Sequence, residues 1–172
     1  PMDEHELRRL MYTAQLPDKG TFVIRYPRGH GVLPDWHCPL TEINVGTGRC
    51  LRQGERVAIV SIGPIGNNAT KAIAQSGLNV GHYDLRFLKP LDDALLHNIQ
   101  HNERLITLED GCVQGGMGSA VLEWMNDHGY TLPVTRMGIP DEFIEHGTVD
   151  ELQHICHMDV DSIVAAINQA YK

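Results

Sequence analysis

Short apolar runs alternate along this chain with stretches whose apolar residues recur every three or four positions. Val57-Ala58-Ile59-Val60-Ser61-Ile62 is almost continuously apolar, the look of a strand covered on both faces. Leu105, Ile106 and Leu108 make residues 104–110 a second short buried strand, too brief for a helix. A turn through Gly115, Gly116 and Gly118 follows, and Met117, Ala120, Val121, Trp124 and Met125 then lie at helical spacing. Residues 78–85 and 133–139 read as further strands. A helix starts near Asn68 and stops at Gly77, another is capped by Asp92 and carries Leu95, Leu96 and Ile99, and two more span 149–156 and 161–171. Residues 46–51 and 56–62 are expected to pair as a hairpin across Gln53 and Gly54, giving one antiparallel edge strand. The pattern predicts an α/β fold: a mostly parallel sheet of about five strands with helices on both faces.

The first residues fit this scheme less well. Residues 3–13 read as a helix with Leu7, Leu10 and Met11 on one face, and 21–25 as a short strand before the loop Arg25-Tyr26-Pro27-Arg28-Gly29. One helix and one strand are too little for independent stability. Together with Pro1 standing before Met2, this suggests a truncated chain. Residues 1–29 are therefore expected to be the end of a preceding domain, 30–40 a linker containing Gly31, Pro34 and Pro39, and 41–172 the main domain.

A length of 172 residues suffices for one well-filled core. The net charge of −8 argues against a nucleic-acid or anionic-membrane surface, because phosphate binding needs a concentrated basic patch. Cys38, Cys50, Cys112 and Cys156 stand far apart with no C-x-x-C pair, which suits a reducing, cytoplasmic setting. No run reaches the ~18 apolar residues of a membrane span.

Candidate chemistry is sparse. The turn after residue 110 has the glycine spacing of a phosphate loop, but Met117 stands where a lysine is required. A tight turn with close helix packing is the better reading. Glu109 and Asp110 end a strand where open α/β sheets bind ligands; they could form a catalytic pair, or cap the next turn and pair with Arg86, and the structural role is favoured. His97 and His101 share a helix spacing, and His154, Cys156 and His157 cluster, yet neither group has the three or four converging ligands of a metal site. No metal site is expected. His146 lies in a loop beside Asp141, Glu142 and Glu145 and is a weak site candidate. Arg25 and Arg28 offer guanidinium forks that match a phosphate, on a loop stiffened by Pro27; an ordinary surface pair fits the composition equally well.

Five segments decide between these readings: MYTAQL at 11–16, IRYPRG at 24–29, DLRFLKPLD at 84–92, LITLEDGCVQGGMGSAVLE at 105–123 and GIPDEFIEHG at 138–147. In order and spacing they closely resemble the carboxyl-terminal end of the 1-deoxy-D-xylulose-5-phosphate synthase family. The resemblance implies a three-layer transketolase C-terminal domain preceded by the last helix and strand of a pyrimidine-binding domain. It also implies a bacterial-type, cytoplasmic, homodimeric parent enzyme. That enzyme condenses pyruvate with glyceraldehyde 3-phosphate, releases CO2, uses thiamine diphosphate and Mg2+, and feeds isoprenoid, thiamine and pyridoxal biosynthesis.

Arg28 stands where the family holds the aldehyde substrate's phosphate, with Arg25, Tyr26 and His30 as neighbours that shape the loop. His30 and the SIGPIGNNA stretch at 61–69 depart from the commonest family pattern. The family's G-D-G cofactor motif and its activating glutamate are missing, so no cofactor and no catalytic residue is expected within these residues, and the polypeptide alone is expected to be inactive. The alternatives are a stand-alone binding or oligomerisation domain of the same fold, and the matching domain of a ketoacid dehydrogenase or transketolase.

Overall fold

The computed structural model describes residues 1–172. In chain order the elements are α1 (Glu4–Thr13), β1 (Arg49–Arg52), β2 (Val57–Ile62), α2 (Gly66–Ser76), β3 (Gly81–Asp84), α3 (Asp93–Ile99), β4 (Arg104–Cys112), α4 (Met117–Asp127), β5 (Val134–Ile139), α5 (Val149–Ile155) and α6 (Val160–Ala170). The sheet order is β1-β3-β2-β4-β5, parallel except for β1. The near-apolar β2 lies at the centre. Its Val57 and Ile59 enter a core shared with α2 and α6, while Ala58 and Val60 enter a second core with α3 and α4. Alternate side chains of one strand thus serve two helical layers.

Helix boundaries follow local chemistry. The Asp92 carboxylate accepts from the Leu95 amide at 2.9 Å and from the Gly48 amide at 2.7 Å, so one side chain caps α3 and fixes the entry to β1. Gly77 ends α2 with φ of 67°.

Two sequence expectations are overturned and a third holds only in part. The predicted β1–β2 hairpin is absent: β1 pairs antiparallel with β3, placing Arg49 opposite Asp84 and Cys50 opposite Tyr83. After β1 the chain crosses the start of β3, where the Glu55 amide donates to the Asn79 carbonyl. Gly54 makes the crossing possible, since a side chain there would collide with the Val80–Gly81 backbone. Residues 21–25 form no strand, because no neighbouring strand offers them a ladder. The third fails in part: of the expected Leu7, Leu10 and Met11 face, α1 buries Leu10, beside Glu6 and Thr13, and leaves Met11 51% exposed; a set of arginines described below draws Glu6 in.

Candidate functional site

The carboxyl end of β4 organises the site edge. The ladder to β5 runs through Leu108 and Met137, breaks, and resumes only where Cys112 meets Ile139. The break leaves Glu109, Asp110 and Gly111 without β5 partners. Glu109 uses this freedom to point its carboxylate at the start of α4, accepting from the Met117 amide at 2.6 Å and the Gly118 amide at 2.8 Å. It thereby satisfies two N–H groups that a helix start leaves unpaired and meets the positive end of the helix dipole. Gly116 is required at close range, since a Cβ there would strike the Glu109 carboxylate and the Cys112 carbonyl. The glycine turn therefore cradles the protein's own carboxylate. Glu109 caps the next turn, but the anticipated pairing with Arg86 does not form; Arg86 turns instead to Glu6 at 2.7 Å.

The IRYPRG loop reaches the same edge from the other side. An Arg25 guanidinium N–H donates to the main-chain carbonyl of Asp110, one of the residues released by the ladder break. Tyr26, Arg28 and His30 are exposed. Arg49, Arg56 and Arg86 are engaged in ion pairs, whereas Arg28 carries none. Further along, the loop lies against α1: the Leu33 amide donates to Glu4 at 3.1 Å, and Arg8 sits 5.2 Å over the Trp36 ring.

Strand order reverses between β2 and β4, the point at which open α/β sheets usually take a ligand. Here the first turn of α1 occupies that end of β2. Asn67 donates to the Met2 carbonyl at 3.0 Å, and Met2 is buried against Gly66. Glu6, with a side chain only 2% exposed, accepts from the Met2 amide at 2.6 Å and pairs with Arg86 at 2.7 Å and Arg49 at 3.3 Å. Arg49 also holds Asp84 at 2.9 Å. Burial, then the Glu6 charge, pushes the Asp84 carboxyl above its ordinary range, with Arg49 opposing them. Beside it, His82 is pushed down to about 4 by burial, with Arg49 adding to the effect. Its Nε2 lies 2.8 Å from Ser61 Oγ and its Nδ1 3.3 Å from Thr70 Oγ1. That serine–histidine distance would suit a nucleophile. Both residues are buried, with Thr70 of α2 on the other ring nitrogen, so the pair is a structural hydrogen bond.

Residues 46–163 match the model of the transketolase C-terminal domain. The chain belongs to this family. It is 64% identical over 168 residues to the 1-deoxy-D-xylulose-5-phosphate synthase of Bacteroides thetaiotaomicron, covering 95% of this chain and 26% of that protein. The synthase of Porphyromonas gingivalis is 49% identical over 95% of this chain and 26% of its own length. That of Halalkalibacterium halodurans is 45% identical over 88% of this chain and 25% of its own length. The chain thus spans about a quarter of the curated relatives it matches. Among solved structures, a split-gene transketolase described as an inactive β4 tetramer superimposes with a TM-score of 0.70 at 30% identity, over 81% of this chain and 47% of that one.

Within this transketolase C-terminal domain the histidines have separate surroundings. His97 sits edge-on to Trp124, His128 and Tyr130, bonding the Tyr130 hydroxyl at 2.9 Å, and is part of an aromatic cluster. His154 bonds Asp159 at 2.6 Å, while His157 is exposed and Cys156 buried. The Ser162 bond, and then His154, hold the Asp159 carboxyl down at about 2. His146 is exposed in the β5–α5 loop and does not line the cavity of about 380 Å³ between the ends of β4, β5 and α5. Arg136, Asp141, Glu142, Cys156 and His157 face that cavity.

Thiamine diphosphate, which the sequence resemblance implies, needs free helix-terminal N–H groups or a metal-binding carboxylate cluster for its diphosphate and Mg2+. The start of α4 is taken by Glu109, whose charge would repel a phosphate, and no three His, Cys, Asp or Glu side chains converge as metal ligands. The start of α4 therefore offers no place for that diphosphate.

Proposed function

We propose that this transketolase C-terminal domain is the carboxyl-terminal part of a 1-deoxy-D-xylulose-5-phosphate synthase. The full enzyme condenses pyruvate with glyceraldehyde 3-phosphate as a cytoplasmic homodimer dependent on thiamine diphosphate and Mg2+. The observation that carries the reading is the identity of up to 64% along nearly the whole chain to synthases of that name, with IRYPRG placed at the carboxyl edge of the sheet. In this reading Arg28 holds the aldehyde's phosphate. Its planar fork of donors pairs two phosphate oxygens at once, and its always-protonated guanidinium matches their charge. The domain otherwise serves as scaffold and as part of the dimer. Its residues move no proton and hold no cofactor, so the chain by itself has no synthase activity.

The test compares Arg28→Ala with the unaltered full-length synthase carrying these residues. Loss of a charged hydrogen-bonding partner of about 1.5–3 kcal/mol raises KM for glyceraldehyde 3-phosphate by roughly 10- to 100-fold. The KM for pyruvate stays as it was, and so does the use of unphosphorylated glyceraldehyde. An unchanged KM for the phosphorylated aldehyde removes Arg28 from the substrate site.

A further inference from the structure

The loop that carries Arg28 is tied down at few points. Phe22 packs edge-on against Phe87 at 6.3 Å, and Leu33 bonds Glu4. From Val23 to Val32 a single hydrogen bond joins the loop to the rest of the protein: the one from Arg25 to the Asp110 carbonyl. Val23 is 90% exposed and Tyr26 60% exposed, and Ile24 alone among the apolar side chains of this stretch is partly buried, so apolar burial adds little to hold it.

We propose that Arg25 is a positioning residue, which by donating to the Asp110 carbonyl fixes the Arg25–Gly29 turn over the end of β4 and so sets where Arg28 meets the substrate phosphate. This inference rests on the phosphate role given to Arg28. Three features make the anchor effective. The acceptor exists because the β4–β5 ladder breaks between Leu108 and Cys112, freeing a carbonyl that a regular strand would commit to its neighbour. The acceptor is also held still: Glu109, one residue earlier, is bonded to two amides of α4, and Gly138 packs so closely that a Cβ there would lie 2.8 Å from the Gly111 carbonyl. And the link from Arg25 to Arg28 is short and stiff. Pro27 has a fixed φ and confines Tyr26 to extended conformations, so an orientation set at Arg25 is carried across two residues to Arg28. Without the anchor the loop would sample many orientations, and phosphate binding would have to select one of them at an entropic cost.

The experiment uses the full-length synthase with Arg25→Met, which keeps an apolar stem and loses the donor, Arg25→Lys, which keeps a donor, Arg28→Ala, and the double variant Arg25→Met/Arg28→Ala. Positioning predicts that Arg25→Met raises KM for glyceraldehyde 3-phosphate about tenfold, the scale of one charge-assisted hydrogen bond, with kcat unchanged. Arg25→Lys recovers part of that loss. In the Arg28→Ala background, Arg25→Met adds nothing further, since it acts through Arg28. Protease cutting within residues 23–32 quickens in Arg25→Met and not in Arg28→Ala, a readout that needs no turnover. If Arg28→Ala raises KM while Arg25→Met does not, or if the two effects multiply in the double variant, positioning is overturned and the phosphate role of Arg28 stands. If Arg28→Ala itself leaves KM unchanged, the phosphate role falls and the positioning role falls with it.

Discussion

Replacing Glu109 with alanine separates two kinds of buried carboxylate. One reserved for chemistry or ligand binding sits in a strained setting, and its removal is neutral or stabilising. Glu109 instead fills the start of α4, only 5% exposed, with two amides at 2.6 and 2.8 Å. Each charge-assisted bond contributes about 1.5–3 kcal/mol, and truncation strands both donors in a place with little access to water. The loss of favourable charge at the helix start adds about 0.5 kcal/mol. Some relaxation of the turn offsets part of this, so Glu109→Ala is expected to cost about 3–5 kcal/mol, a large share of the roughly 5–15 kcal/mol that holds a domain together. Urea unfolding followed by far-ultraviolet circular dichroism measures it directly. With a slope near 2 kcal/mol per M, the midpoint drops by about 2 M. Glu109→Gln preserves volume but turns an amide donor toward one of the N–H groups, and loses about 2–3 kcal/mol. A loss below about 1 kcal/mol for Glu109→Ala, or a gain in stability, would refute the capping role.

The remaining expectations concern the first turn of α1 and the buried histidine of β3. His82 is held neutral, at about 4 against 6.5 unfolded, so its contribution is complete above pH 6.5 and fades as pH falls toward 4. The full effect is about 3 kcal/mol; denaturant midpoints measured from pH 7 to 5 slope downward, and His82→Gln flattens the slope whatever its own stability. Glu6→Ala leaves Arg86 without its buried partner and Arg49 with Asp84 alone, and is expected to cost about 3 kcal/mol, at the low end for a broken buried pair because both arginines keep some solvent and Arg49 keeps a second carboxylate. Protease cutting within α1 should rise in step with that loss, and unchanged cutting would show that Glu6 does not hold the helix.

Elements whose identity depends on their own residues were legible from sequence. The β2 run announces a strand covered on both faces, and Asp92 and Gly77 mark helix ends by local chemistry alone. Partners set by distant residues were not. The turn-like Gln53-Gly54 pair invites a hairpin, and nothing nearby says that the chain crosses β3 first. In α1 the apolar stripe outvotes a glutamate on paper, yet arginines 43 and 80 residues away pull Glu6 inward. The same reason hid much of the site. Glu109 could be suspected from its place at a strand end before a glycine turn, whereas Arg25 and Asp110 lie 85 residues apart and Ser61 and His82 meet only through the β2–β3 register.

The ion cluster around Glu6 also bears on where this polypeptide can be cut. Similarity to the transketolase C-terminal domain begins at residue 46, a natural place to trim an expression clone. Trimming there would remove Met2, Glu6 and the Thr13 hydroxyl that receives the Ile43 amide. Arg86 would lose its carboxylate, Asp84 would keep Arg49 alone, and the end of β2 would open to water. The stretch that the family model matches and the stretch held together by these contacts therefore have different edges. The second includes Met2, buried against Gly66 and bonded through its carbonyl to Asn67.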